Sequence, residues 1–536
     1  MKRKSVIGSL CCLLILSLSA CGNSGVKNTE AGAEDKDSLV CYVGHGFWES
    51  SLDPVKGGFS YGWSFINNAL LKVQPDSTYG GDLAESFHIS EDALTYTFLL
   101  KEGITFHDGS ELTAEDVVFT YETVKENQGN NEKVDLSKMA FIEAEDERTV
   151  KITLSEPYSP FLDMTAQLGI VPSDGYDSDA FNELPVGTGP FKAVQYDEGQ
   201  QFLVEANEDY FDGAPKIKKA AFVNMDNEAA FSNARSGQLD IVMVQPNYAG
   251  EEIPGMHVEK LETMDVRNIS LPCRPLQTVE APDGEEVLAG NDVTSDKAVR
   301  EALNIGIDRK KIIEHAFNGV GVPAYGFTDN LEWGNAPEIT DCLKEEAEAL
   351  LLEAGWKDTD GDGIREKGDL RCSFEVYTPS DEQDRYQLAA ALAEEAGELG
   401  IEIQVKQTTW DEITKASYSS GVVWGFGQFN PMVIHQLFSS ETFLTAQYSN
   451  TPGYENPQVD AGIREAIESA DHEKAVEKWK EVQEVYAEEI PYLYLVNIEH
   501  CYFVNDRVDI SVSTQVPHPH GHGIPIICNM KDWTFK

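Results

Sequence analysis

Apolar and polar residues alternate over 96–100, and because successive strand side chains fall on opposite faces, this predicts a half-buried strand. Gly103 and His107-Asp108-Gly109 then supply turns. Thr113 with Asp116 makes a capping-box-like helix start, and Val117, Val118, Tyr121 and Val124 fall on one side of the helix that follows. A second unit is more regular: 373–377 reads as a strand and 381–399 as a helix with Leu388, Leu392 and Leu399 inward. Gly400 is its C-cap, and Ile401, Ile403 and Val405 form the next strand. A strand, a helix and a second strand in this order form a βαβ crossover, which requires the two strands to be parallel. Further helices are expected at 296–306 capped by Ser295, at Arg309–Phe317 capped by Asp308 and stopped at Gly319, at 342–355 and at 473–489.

Ahead of these elements stand Lys2-Arg3-Lys4, an apolar run over 6–18 and the small residues Ser19-Ala20, the three zones of an export signal. The run is short of the roughly 20 apolar residues that span a bilayer, and no later segment approaches that length, so attachment to a membrane has to come from chemistry at the cleavage point. Leu18-Ser19-Ala20-Cys21 resembles the lipobox of bacterial lipoproteins, which implies removal of 1–20 and diacylation of Cys21. Two acyl chains supply the stable anchor that one does not. Within 21–40, residues 22–38 are small, polar and charged, as a flexible tether would be. Localisation is thus expected at the outer face of the bacterial cytoplasmic membrane, with the membrane touched through the lipid alone.

At 536 residues, 41% hydrophobic and 25% charged, the chain has material for about three domains and too little bias for a disordered or fibrous protein. The formal net charge of −51 becomes −54 once Lys2, Arg3 and Lys4 leave with the leader. Such a surface repels phosphate backbones and anionic headgroups, excluding nucleic acid as a partner. Cys41, Cys273, Cys342, Cys372, Cys501 and Cys528 lie far apart, and spacing does not decide between bridges and buried thiols. With no CxxC after the leader, a redox or zinc-ribbon module is disfavoured. GxSxG, HExxH, a P-loop and a strand-linked GxGxxG are all missing, so no enzyme signature is present.

Several segments, in order along the chain, resemble the family 5 extracytoplasmic solute-binding proteins, the peptide and nickel receptors of ABC importers. They are Leu83-Ala84-Glu85-Ser86 with 94–98, 103–109 and 112–117, then Gly187-Thr188-Gly189-Pro190-Phe191, 207–215 and Gly237-Gln238-Leu239-Asp240. The series ends with Val299-Arg300-Glu301-Ala302-Leu303, Ile307-Asp308-Arg309 and Ile490-Pro491-Tyr492-Leu493. The resemblance implies an α/β fold, periplasmic-binding-protein-like of the class II or cluster C type, with a two-lobed cleft and an additional inserted domain. Domain I is expected at 41–70, 186–272 and 496–536, domain II at 71–185 and domain III at 273–495. Closure is expected as a hinge motion at 271–275 and 491–497, trapping ligand between domains I and III. It further implies a monomer that catalyses no covalent change and hands a peptide or a nickel chelate to an ABC permease and its ATPase. An exported receptor or sensor with the same fold is the competing reading, and an exported hydrolase a third.

In peptide receptors of this family an Asp after a Trp-containing strand of the third domain holds the ligand's α-amino group; the matching stretch is 424–431, where Asn430 offers a carbonyl acceptor without charge. The nickel receptors carry aromatics here, a histidine beyond and an arginine in domain II. Trp424, Phe426 and Phe429 supply the aromatics and His435 the imidazole, but 166–169 holds no arginine. In an extended backbone His518, His520 and His522 would share one face, as contact with a metal chelate requires. Asp358, Asp360, Asp362, Gly363, Glu366 and Asp369 have the spacing of a calcium loop, yet Asp369 at the twelfth position is a shorter arm than the usual bidentate Glu, favouring a solvated turn over bound calcium. No cofactor is required, and nickel would enter as cargo.

Overall fold

The computed structural model describes residues 37–44, 47, 51–58, 65–127, 131, 133–327, 331–445, 448–512, 516 and 524–536. The export signal, Cys21, most of the tether and His518, His520 and His522 lie outside the described residues.

Three sheets organise the chain into three lobes. Lobe I is a seven-stranded sheet in the order Met256–Leu261, His500–Asn505, Ile241–Val244, Ser38–Tyr42, Lys219–Val223, Gln201–Ala206, Phe191–Asp197. Ser38–Tyr42 runs parallel to both of its neighbours, and the remaining pairs are antiparallel. Phe191, Phe202, Phe222, Tyr502 and Trp533 fill the core on one face. Lobe II is an antiparallel sheet of Ala84–Ile89, Thr95–Leu100, Thr149–Leu154 and Met139–Ala144. Against it packs the helix Ala114–Glu126 through Val117, Tyr121 and Val124, started by a reciprocal capping box of Thr113 and Asp116.

Lobe III has six strands in the order Val322–Pro323, Tyr492–Asn497, Val266–Ser270, Gly421–Phe426, Ser373–Pro379, Glu402–Thr408. Its βαβ unit pairs Ser373–Pro379 and Glu402–Thr408 in parallel register from Ser373↔Glu402 to Pro379↔Thr408. The helix between them, Gln383–Glu398, buries Leu388 and Leu392, each contributing about 1.5–3 kcal/mol of transfer free energy. Gly400 follows at φ 76°, a left-handed conformation that glycine adopts without Cβ strain. The helix Lys297–Gly306 is capped by Asp296, one residue beyond the expected Ser295, because the Asp296 carboxylate reaches the backbone N–H of Ala298.

Two segments cross between lobes I and III. Met256–Leu261 belongs to the first sheet and Val266–Ser270 to the second, so one crossing occupies 262–265; the other occupies 498–499, between Tyr492–Asn497 and His500–Asn505. The expected hinges at 271–275 and 491–497 lie instead within lobe III. Leu271 is buried in its core with its N–H on Pro491 O, and 492–497 is a paired strand, so neither stretch is placed to swing. The crossings are tied side by side: Thr263 Oγ1 donates to Asn497 Oδ1 at 3.0 Å, Asn497 Nδ2 donates to Thr263 O at 3.0 Å, and Ile498 N donates to Asp265 O. The six cysteines from Cys41 to Cys528 are free thiols. Burial pushes Cys273 up to about 11 and Cys372, Cys501 and Cys528 up to about 12.

Candidate functional site

The groove between lobes I and III receives the carboxyl ends of the parallel strands of both sheets. Cys501 pairs with Val244 and His500 with Leu261, which puts the end of Ile241–Val244 at the crossing; Val266 pairs with Phe426, which does the same for Gly421–Phe426. Open α/β sheets bind ligands outside the carboxyl ends of their strands. The chain leaving Phe426 presses on the crossing itself, since a Cβ on Gly427 would lie 2.0 Å from Met264 O.

An aromatic wall stands at this end of lobe III. The rings of Trp410 and Trp424 stack at 6.0 Å, Tyr448 meets Trp424 edge-on at 5.3 Å, and Phe426 lies 6.2 Å from Trp424. Trp424 Nε1 donates to Ser270 Oγ at 3.1 Å, which fixes the indole against Val266–Ser270. Asn268 sits directly across from Trp424 and is fully buried, and neither its amide nitrogen nor its amide oxygen has a hydrogen-bond partner. An unpaired buried amide costs about 1–3 kcal/mol per group. Nothing in the sequence singled out Asn268, which stands in a stretch of mixed polarity, Val266-Arg267-Asn268-Ile269-Ser270.

The other candidates divide. Asn430 is not a free acceptor: its Oδ1 takes the Met432 N–H at 2.9 Å, and its side chain hydrogen-bonds Asp163 of lobe II. Asp163, on the helix Phe161–Gln167, is 3% exposed and also accepts from Tyr79 Oη at 2.8 Å and from Gln167 Nε2. Burial pushes its carboxyl up to about 6 against the pull of those three hydrogen bonds. Beside it a cavity of about 50 Å³ lies between lobes II and III, lined by Tyr79, Asp163, Trp333, Phe429, Pro431 and Trp479. Phe429 holds this corner through its backbone oxygen, which accepts from Trp333 Nε1 at 2.6 Å. The signal for Asp163 was an acid set among Phe161, Leu162 and Met164, a pattern that a surface helix shares.

His435 lies on the helix Met432–Phe438; burial lowers its pKa, and the charges facing it are Glu441 and Asp460. Ligand atoms of Asp358, Asp360, Asp362 and Glu366 fall within 4.8 Å of one another, the group among the described residues that could hold a cation. Asp369 is not among them. The hairpin of Glu366–Lys367 with Leu370–Arg371 turns the chain and carries the twelfth residue away. Asp358 caps the N–H groups of Gly361 and Gly363, Glu366 Oε2 accepts from Thr359, and Asp362 pairs with Arg371 Nη1 at 2.5 Å, so these oxygens serve the turn, while Glu366 Oε1 has no hydrogen-bond partner.

Residues 78–453 match the family described as "Bacterial extracellular solute-binding proteins, family 5 Middle". Protein XP55 of Streptomyces lividans is 30% identical over 512 residues, covering 93% of this chain and 90% of its own. The oligopeptide-binding protein AppA of Bacillus subtilis is 28% identical, covering 92% and 93%. Among solved structures, NikZ from Campylobacter jejuni in complex with Ni(L-His) superposes with a TM-score of 0.75 at 23% identity over 94% of this chain and 100% of that one, a likeness of fold. AppA of Bacillus subtilis with a nonapeptide does so with a TM-score of 0.67 at 22% identity, over 93% and 99%. With an extracytoplasmic α/β architecture of two cleft-forming lobes and a third lobe, shared over nearly its whole length with binding proteins of ABC importers, this chain belongs to the family 5 bacterial extracellular solute-binding proteins.

Proposed function

We propose that the chain captures a short peptide in the groove between lobes I and III and delivers it to an ABC permease without changing it covalently. The observation that carries this reading is Asn268. A buried amide with its donor and acceptor both unpaired, next to a wall of Trp410, Trp424, Phe426 and Tyr448, is complementary to a peptide bond flanked by side chains. The kinship with an oligopeptide-binding and a dipeptide-binding protein supports it. Lipid on Cys21 would hold the receptor at the outer face of the cytoplasmic membrane as a monomer, and Gly22 onward would give the reach to dock on the permease.

Tryptophan emission offers the assay, with Trp424 as reporter. Saturable quenching or enhancement by a pool of random tetrapeptides at neutral pH is expected, and little response to nickel with free histidine. Heat on titration with nickel and histidine, silence with peptides, and loss of that heat in the His518, His520, His522 triple Ala variant would move the cargo to a metal chelate.

A further inference from the structure

Arg267 is the second residue of lobe III after the crossing, and its Cα pairs with Gly425 on one side and Val496 on the other. The ladder with Tyr492–Asn497 shifts register between Arg267 and Asn268, the kind of irregularity that re-aims a side chain near a site. The residue is 8% exposed. Its Nη2 lies 3.2 Å from Asp265 Oδ2, while Nε and Nη1 have no hydrogen-bond partner.

Charged neighbours account for only part of this guanidinium. Asp265, Asp384 and Glu382 face it. Glu382 is engaged by Arg385 Nε at 2.5 Å, and Asp265 also lies 3.5 Å from Nε2 of His500, the first residue of the returning strand in lobe I. One N–H on Nε and two on Nη1 are left, on a group sealed from water at the point where the carboxyl ends of both sheets meet. A buried charged donor left unpaired costs more than a neutral one, and a native fold rarely keeps one without a partner that arrives later. Guanidinium groups bind planar carboxylates through paired, charge-assisted hydrogen bonds.

We infer that Arg267 is the anchor for a carboxylate carried by the cargo, so that the groove selects solutes with a free carboxyl group. Asp265 orients the guanidinium from the crossing, and His500 holds Asp265 from lobe I, which makes the anchor complete only when the lobes are together. The inference rests on the groove being the cargo site and adds the chemical group that it reads there.

The test uses the cargo-free mature protein and two pools of random tetrapeptides, one with free C-terminal carboxylates and one with C-terminal amides. Calorimetry should give wild-type affinity at least tenfold higher for the acid pool. In Arg267→Met the acid pool should fall to the level of the amide pool while amide affinity stays put, and Arg267→Lys should recover part of the difference. Far-UV circular dichroism of cargo-free Arg267→Met should match the wild type while its melting temperature falls, because the buried Asp265 carboxylate loses its partner. Equal wild-type affinity for the two pools, or an acid preference that survives in Arg267→Met, overturns the inference. So does an equal fall in affinity for both pools in Arg267→Met, the mark of a purely structural ion pair with Asp265. If the wild type binds neither pool, the peptide reading fails by itself, and titration of wild type and Arg267→Met with small dicarboxylic acids then decides for or against Arg267.

Discussion

Replacing Asp163 with Asn isolates the energetic effect of one buried carboxyl group. Folding lifts its pKa to about 6, against about 3.9 in the unfolded chain. Between these values the folded protein holds a proton that the unfolded chain has released. Stability therefore declines as pH rises from about 4 to 6, and it stays lower above that interval. About two pKa units at 1.36 kcal/mol each amount to about 3 kcal/mol. The amide of Asp163→Asn titrates nowhere in this range and keeps one oxygen for Tyr79 or Gln167. Taking about 2.1 cal/mol/K per residue of unfolding entropy, a unit running from Asp37 to Lys536 loses about 1 kcal/mol for each degree, so 3 kcal/mol corresponds to about 3 °C. Scanning calorimetry on both proteins, free of cargo, at pH 4, 5, 6 and 7 should show the wild type losing about 3 °C relative to Asp163→Asn across the series. A gap that is constant from pH 4 to 7, or one that moves the other way, refutes the assignment of a raised pKa to this carboxyl.

Gly427→Ala should weaken cargo binding at least tenfold with the cargo-free fold intact by circular dichroism, since its Cβ would meet Met264 O at 2.0 Å and hold the lobe III loop off the crossing; unchanged affinity would show that the loop yields freely. Millimolar calcium should move the melting temperature by less than about 1 °C, and a larger shift that Asp360→Ala abolishes would establish a bound ion, because a ligand of the folded state alone must stabilise it. Cys21→Ser should release the protein to the soluble fraction with cargo affinity unchanged; retention on the membrane would contradict the lipid anchor.

The βαβ unit of lobe III was legible because periods of 2 and 3.6 alternate over residues 373–408 with a glycine at the helix end, signals that depend only on near neighbours. The hinge was harder to place. Val266-Arg267-Asn268-Ile269-Ser270 carries polar residues at three of five places, so it does not read as strand, and the crossing was set one strand too late. The same mixed pattern hid the groove chemistry. Arg267 and Asn268 matter because of what long-range pairing leaves unsatisfied around them, and no local period reports a missing partner. Trp424 and Phe426 were found through the resemblance of 424–431 to the third-domain stretch of the family's receptors, whereas Asp163 acquires its character only when Asn430, 267 positions further along the chain, closes over it.

The order of strands in lobe I sets a schedule for its assembly. His500–Asn505 lies inside the sheet, between Met256–Leu261 and Ile241–Val244, and pairs with both. Residues 241–261 therefore face a gap until almost the whole polypeptide has been made, while lobe II, continuous from Ala84 to Leu154, has every strand it needs long before. A nascent chain held up short of Asn505 presents two unmated strand edges that His500–Asn505 later joins. The groove is therefore complete only after His500–Asn505 has entered the sheet. A partly synthesised copy, with its first lobe open, exposes aggregation-prone strand edges before it can trap cargo.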